Sequence, residues 1–287
     1  MKAYINREKS DFAICRIIRA LSRYVLPELE IVDNKDDADL VVFHVSGRRD
    51  HIRRGIKRIK AENKDYAIIQ YSLRSTQKSL TTEWLDIWEG AKVVWSYYDL
   101  NVLLEEDGNK LDFNFYHAPL GADADVFYPK SLDHHFTVFT TGQVYRGESV
   151  WEVVKAAKSL KKQVAHLGPE LHTGVKCFTN INDEELNEVY NRCDYVSGLR
   201  RIEGFELPAV EGLFCGIRPI LFDEPHYKRW YDGLAKFIPE GSREQVVNDL
   251  RVIFSGKVEP VTLEEIKEAR KRFNWEKLVT EFWKRCL

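Results

Sequence analysis

Short apolar runs alternate with amphipathic stretches along this chain, the rhythm of an α/β protein. Lys2–Ile5 predicts a first strand, and Asp11–Tyr24 a helix with Phe12, Cys15, Ile18 and Leu21 on its inner face. Asp39–Val45 and Tyr66–Tyr71 predict two buried strands. Between them Ile52, Ile56 and Ile59 recur at helical spacing amid Arg48, Arg49, Arg53, Arg54, Lys57, Arg58 and Lys60, which predicts an amphipathic helix with a basic face. Trp84, Trp88, Trp95, Tyr97 and Tyr98 form an aromatic cluster on a helix and a strand, read mainly as core. Further strands are predicted at Phe136–Thr140, Val164–Gly168, Val175–Thr179, Asp194–Leu199 and Arg218–Phe222. Asn182 with Glu185, Ser242 with Gln245, and Thr262 with Glu265 have capping-box spacing and mark helix starts. Trp275–Leu287, with Leu278, Phe282 and Trp283 on one face, is a last helix.

Composition narrows the class. A chain of 287 residues with 44% hydrophobic content favours two domains, and a net charge of −2 selects no partner. Five cysteines without a CxxC pair indicate neither a disulfide framework nor a zinc site, and are expected to be reduced and mostly buried. No run approaches the roughly 18 apolar residues of a membrane span, and the N-terminus turns charged before an export signal could form, so a cytoplasmic location is expected.

The chemistry concentrates in EGFELPAVEGLFCGIRPIL, Glu203–Leu221. Pro208 suits the first turn of a helix and Gly216 its left-handed end, so the free amides of the loop and first turn point back toward Gly204 and Phe205, with Glu206 and Leu207 as further donor-binding candidates. Arg200 and Arg201 precede this anion-binding terminus, Glu203 lies in the loop, and Glu211 falls one turn into the helix. Amides and arginines can neutralise a diphosphate, while a carboxylate can accept two hydrogen bonds from vicinal sugar hydroxyls.

Glu203 and Glu211, separated by seven residues inside EGFxLPxxEGxxCGxxPI, resemble the E-x7-E motif of family-4-type retaining glycosyltransferases of GT-B fold. The resemblance implies two Rossmann-like domains facing a cleft, the donor held by the second and the acceptor by the first. It gives Glu211 the donor ribose and Glu203, with the amides after it, the transferred sugar. It also implies that a departing phosphate oxygen takes the acceptor proton. HAPLGADADVFYP, His117–Pro129, resembles the family linker, placing domains at 1–125 and 126–270, with 271–287 returning to the first. Gly142, Gln143, Arg146 and Gly147 resemble the family's diphosphate clamp with one cation missing, which Arg200 or Arg201 could replace.

His44 stands at a strand end where the family often has histidine. Three positions depart from the pattern: Gln70 for histidine, Gln143 for arginine and Glu206 for glycine. Asp37 with Asp39 and Asp123 with Asp125 have D-x-D spacing but the wrong placement for that metal motif, so neither a metal nor any other cofactor is expected, only a UDP- or GDP-type sugar as co-substrate.

The basic helix, with Arg48, Arg49, Arg53, Arg54 and Lys57, and Arg74 in the loop after the third strand, favours a polyanionic acceptor or is simply a solvated face. DNA bearing hydroxymethylated pyrimidines, as in compact viral-type members, is one candidate. Lipid-linked or envelope glycans at a membrane surface, with peripheral membrane contact, are another. A degenerate scaffold that binds nucleotide or sugar without turnover is the alternative from a different class. A dinucleotide-dependent oxidoreductase is disfavoured, because no strand is followed by G-x-G-x-x-G.

Overall fold

The computed structural model describes residues 1–6, 12–45, 49–73, 81–142, 147–171, 175–201 and 204–287. Glu203, Gln143, Arg146, Arg48, Arg74 and the side chain of Arg49 lie outside the described residues. The chain forms two compact units: Met1–Leu120 with Glu203–Phe205 and Trp275–Leu287, and Gly121–Ile202 with Glu206–Asn274.

The first unit runs β1 (Lys2–Ile5), α1 (Phe12–Arg23), β2 (Glu30–Ile31), β3 (Leu40–Val45), α2 (Arg49–Ala61), β4 (Asp65–Gln70), α3 (Leu85–Trp88), β5 (Val94–Ser96), α4 (Leu100–Glu106) and β6 (Phe115–His117). Its described strands pair in parallel in the order β2-β1-β3-β4-β5-β6. Every residue of β3 is buried, as a parallel strand covered on both faces requires. The order reverses between β1 and β3, and the carboxyl ends of strands at such a reversal are where open α/β sheets usually bind ligands.

Ile52, Ile56 and Ile59 are buried as one stripe of α2, and Gly55 admits the Phe43 ring, whose nearest atom would be 2.9 Å from an added Cβ. On α1 the inner face is Ile14, Ile17, Ala20 and Leu21, while Cys15 is exposed and Ile18 half-buried. The helix thus lies about one residue round from the predicted face. The observed stripe buries two isoleucines and a leucine where the alternative would spend one position on a thiol. The aromatic cluster is core: Trp84, Trp88, Trp95, Tyr97 and Tyr98 are all buried.

The second unit runs β7 (Phe136–Thr141), α5 (Val150–Ser159), β8 (Val164–Leu167), β9 (Lys176–Phe178), α6 (Asp183–Tyr190), β10 (Cys193–Ser197), α7 (Leu207–Phe214), β11 (Arg218–Phe222), α8 (Pro225–Tyr231), β12 (Lys236–Ile238), α9 (Arg243–Ser255) and α10 (Leu263–Arg272). Its described strands are also parallel, in the order β12-β11-β10-β7-β8-β9, so the order reverses between β10 and β7. Asn182 and Thr262 form reciprocal capping boxes on α6 and α10, and Ser242 caps α9.

The last helix, α11 (Trp275–Cys286), belongs to the first unit. Trp283 Nε1 donates to the Leu21 carbonyl at 3.1 Å, and the Tyr116 hydroxyl donates to the Leu278 carbonyl at 3.1 Å. The Trp95 ring lies 5.4 Å from Phe282. Among the described residues no helix is long and apolar enough to cross a membrane.

Candidate functional site

Two loops leave the carboxyl ends of β7 and β10, where the second sheet reverses its order, and backbone bonds join them. Arg201 N–H donates to the Gly147 carbonyl at 2.8 Å and Ser149 N–H to the Leu199 carbonyl at 3.1 Å, while Glu148 and Arg200 form an antiparallel bridge. Gly142 opens the first loop with φ +104°, and a Cβ there would lie 1.8 Å from Glu148 Oε2. Only glycine suits both that conformation and that space.

Arg200 fills the space so kept. Its side chain is 8% exposed, one terminal nitrogen lies 2.7 Å from Glu148 Oε2, the other donates to the Thr141 carbonyl at 2.6 Å, and Nε lies 3.6 Å from Glu206 Oε2. Glu206 is buried as well, with the Tyr227 hydroxyl 3.4 Å from its carboxylate and the Tyr231 hydroxyl donating to its carbonyl at 2.8 Å. Buried charges persist when paired and hydrogen-bonded, and Arg200 between two carboxylates meets that condition. Glu206, where the family pattern has glycine, is therefore a partner of Arg200. Arg201 donates to Ser149 Oγ at 2.6 Å, lies 3.5 Å from the buried Glu152, and sits over the Phe222 ring at 5.0 Å.

Leu207 and Pro208 begin α7, with Glu206 at its N-cap. Glu211 follows one turn in, only 2% exposed, and its Oε2 accepts from the Tyr190 hydroxyl at 2.8 Å. This excludes a solvated helix residue. Gly212 lets the helix lie on β10, since a Cβ would meet Val196 Cγ1 at 2.5 Å. Ile217 N–H to the Gly212 carbonyl (2.8 Å) and Gly216 N–H to the Leu213 carbonyl (3.1 Å) close the helix as a Schellman motif, with Gly216 at φ +83°. Gly204 and Phe205 belong to the first unit, where the Phe205 ring lies 5.5 Å from Tyr97.

On β8, His166 is fully buried, and neither ring nitrogen has a hydrogen-bond partner among the described residues. Burial first, and the Arg200 charge second, lower its pKa to about 4, against an opposing effect of the Thr140 backbone.

The first unit presents a different set at the ends of β3 and β4. His44 is 2% exposed; its Nδ1 lies 2.6 Å from the Tyr71 hydroxyl, with the two rings nearly parallel. Burial alone lowers its pKa to about 4, so the ring is neutral near pH 7. Gln70 is employed at both ends of its amide, accepting from Trp88 Nε1 at 3.1 Å and donating to the Ser72 carbonyl at 2.8 Å. On α2, Arg53 is held by Asp86 (2.6 Å) and the Glu83 carbonyl (2.6 Å), and Arg58 by Glu62 (2.7 Å). Arg54 and Lys57 are exposed, so the open basic face is narrower than the residue count implies.

The D-x-D pairs serve the backbone: Asp39 accepts from Lys2 N–H at 2.7 Å, and Asp123 accepts from Asp125 N–H at 3.1 Å. Sequence reasoning missed Glu148, Tyr190, Tyr227 and Tyr71. Glu148 alone had a local signal, a carboxylate six residues after Gly142; the tyrosines meet their partners only through the fold.

No family model and no curated protein matches the chain. Solved structures do. HepE from Anabaena, in complex with UDP and glucose, superposes with a TM-score of 0.77 at 10% identity, covering 99% of this chain and 98% of that one. Sucrose-phosphate synthase from Thermosynechococcus elongatus gives 0.72 at 15% identity, over 87% of this chain and 73% of that one. The pneumococcal O-GlcNAc transferase GtfA, in complex with UDP and GlcNAc, gives 0.66 at 14% identity over 86% of this chain, which spans just over half (56%) of that one. The architecture of this chain is the GT-B fold of glycosyltransferases.

Proposed function

We propose that the protein is a retaining, metal-independent glycosyltransferase that moves a sugar from a nucleoside-diphosphate sugar to an acceptor hydroxyl. Glu211 carries this reading. It is a buried carboxylate, anchored by Tyr190 one turn into a helix that starts where the sheet order reverses. A carboxylate has lone pairs enough to keep that bond and accept two vicinal hydroxyls of a ribose. A UDP-type donor is favoured, because HepE and GtfA were both crystallised with UDP.

The acceptor oxygen bonds to the anomeric carbon as the bond from that carbon to the phosphate oxygen breaks, and the acceptor proton passes to the departing phosphate. The chain then supplies position and charge stabilisation, through the first-turn amides of α7 and through Arg146. Arg200 is already committed to Glu148 and Glu206; its part is to hold the two loops in register. Arg54 and Lys57 favour an acceptor that carries phosphate groups, and hydroxymethylated DNA is the first to try.

The test is incubation with UDP- and GDP-sugars and hydroxymethylcytosine DNA in the presence of a chelator, followed by digestion and mass measurement. A hexose gain that is lost in Glu211→Ala supports the reading in full. Nucleoside diphosphate binding without a gain redirects the acceptor to glycans, and absence of binding overturns the proposal.

A further inference from the structure

The pair formed by His44 and Tyr71 determines which ring nitrogen carries the proton. The Tyr71 hydroxyl is the partner of His44 Nδ1 at 2.6 Å, and among the described residues it has no other. A phenol is the stronger acid and an imidazole nitrogen the stronger base, so the favoured bond is O–H donating to Nδ1. The reverse bond would also leave the phenol proton without an acceptor among the described residues. A neutral imidazole with an accepting Nδ1 carries its proton on Nε2. That nitrogen is buried and makes no hydrogen bond among the described residues.

Tyr71 is itself fixed. Its N–H donates to the Val45 carbonyl at 3.0 Å, and its carbonyl accepts from the Tyr97 hydroxyl. His44 stands one residue before the end of β3, on the strand where the first sheet reverses its order, so it lies at the carboxyl end of the sheet, where open α/β sheets usually bind ligands.

We propose that Tyr71 is a positioning residue that locks His44 in the tautomer protonated at Nε2, so that His44 donates a hydrogen bond to an oxygen of the bound acceptor and does not act as a base. The low basicity of the ring agrees with this assignment. The identity of the ligand rests on the transferase reading, whereas the tautomer does not. An unpaired buried N–H is costly, and a ligand oxygen would satisfy it. With His44 as a donor, the acceptor proton must go elsewhere, in keeping with its transfer to the departing phosphate.

The test uses the full chain labelled with 15N-histidine. Long-range proton–nitrogen correlation should show His44 with a pyrrole-type Nε2 and a pyridine-type Nδ1, the signals being assigned by their loss in His44→Gln. In Tyr71→Phe the ring should become a mixture of tautomers. In transfer assays His44→Gln, whose amide can place an N–H near the Nε2 position, should outperform His44→Ala by roughly tenfold in kcat. A pyrrole-type Nδ1 in the wild type overturns the proposal. So does His44→Gln being as slow as His44→Ala while both melt like the wild type. If the wild type transfers no sugar at all, the proposed function fails, and the nitrogen shifts still decide the tautomer.

Discussion

The two sheets end in polar clusters built on opposite electrostatic principles. At β3 and β4 the groups are neutral and hydrogen-bonded: His44 with Tyr71, and Gln70 with Trp88 and the Ser72 carbonyl. At β7 and β10 they are ions, with Arg200 between Glu148 and Glu206, and Arg201 beside Glu152. The neutral set can offer oriented dipoles to a ligand. The ionic set can hold two loops rigidly, but its arginines are occupied, so under the proposed function neutralising a diphosphate would fall to helix amides and to cations beyond the cluster. A strand end therefore does not fix the chemistry of its crevice. The presence or absence of a buried counter-charge does.

The sharpest way to break this contrast is Arg200→Ala. It removes the cationic partner of the buried Glu206 and of the half-buried Glu148, and should cost about 3–5 kcal/mol in urea unfolding. Adding Glu148→Gln and Glu206→Gln should restore much of that loss if charge, and not packing, is responsible. Glu211→Gln tests function on the same side of the comparison: loss of a charge-assisted bond should cost about 2–3 kcal/mol of transition-state binding, roughly a hundredfold in kcat/KM. Its melting temperature should change little by comparison with Arg200→Ala.

The histidines come next in size. His44 and His166 are held near pKa 4, below the unfolded value of about 6.5, so the unfolded chain binds more protons between those values. Their neutral burial contributes its full stability above about pH 6.5 and loses it as pH falls toward 4. Each should cost roughly 2 kcal/mol between pH 7 and pH 5. His166→Gln should flatten the slope measured by unfolding at the two pH values. The smallest effect is a control remote from both clusters: Ser242→Ala removes the cap that accepts from Gln245 N–H, costing about 1 kcal/mol with turnover unaltered.

Much of this was legible in the residues themselves. Pro208 and Gly216 bracket α7 as local sterics demand, and the Ile52, Ile56 and Ile59 stripe faces inward because helical periodicity leaves it nowhere else. The α1 face was misplaced because Phe12, Cys15, Ile18 and Leu21 form as regular a stripe as the observed one, and only packing separates the two. Gln70 and Glu206 looked like lapses in a catalytic pattern. In the fold each has specific partners, Trp88 and Ser72 for one and Arg200 for the other.

The sequence by itself determined the alternation of strands and helices and the position of Glu211 one turn into α7, because these follow from periodicity, turn chemistry and short spacings, while the GT-B architecture was expected from the resemblance of Glu203–Leu221 to a family motif. Tertiary structure alone decided the pairings across long separations: Tyr190 with Glu211, Glu148 with Arg200, Tyr71 with His44. Each joins residues on different elements, and their distance is set by how parallel strands stack and where the sheet reverses. No local propensity encodes that distance, so which charges are neutralised and which ring nitrogen bears a proton becomes defined only when the sheets assemble.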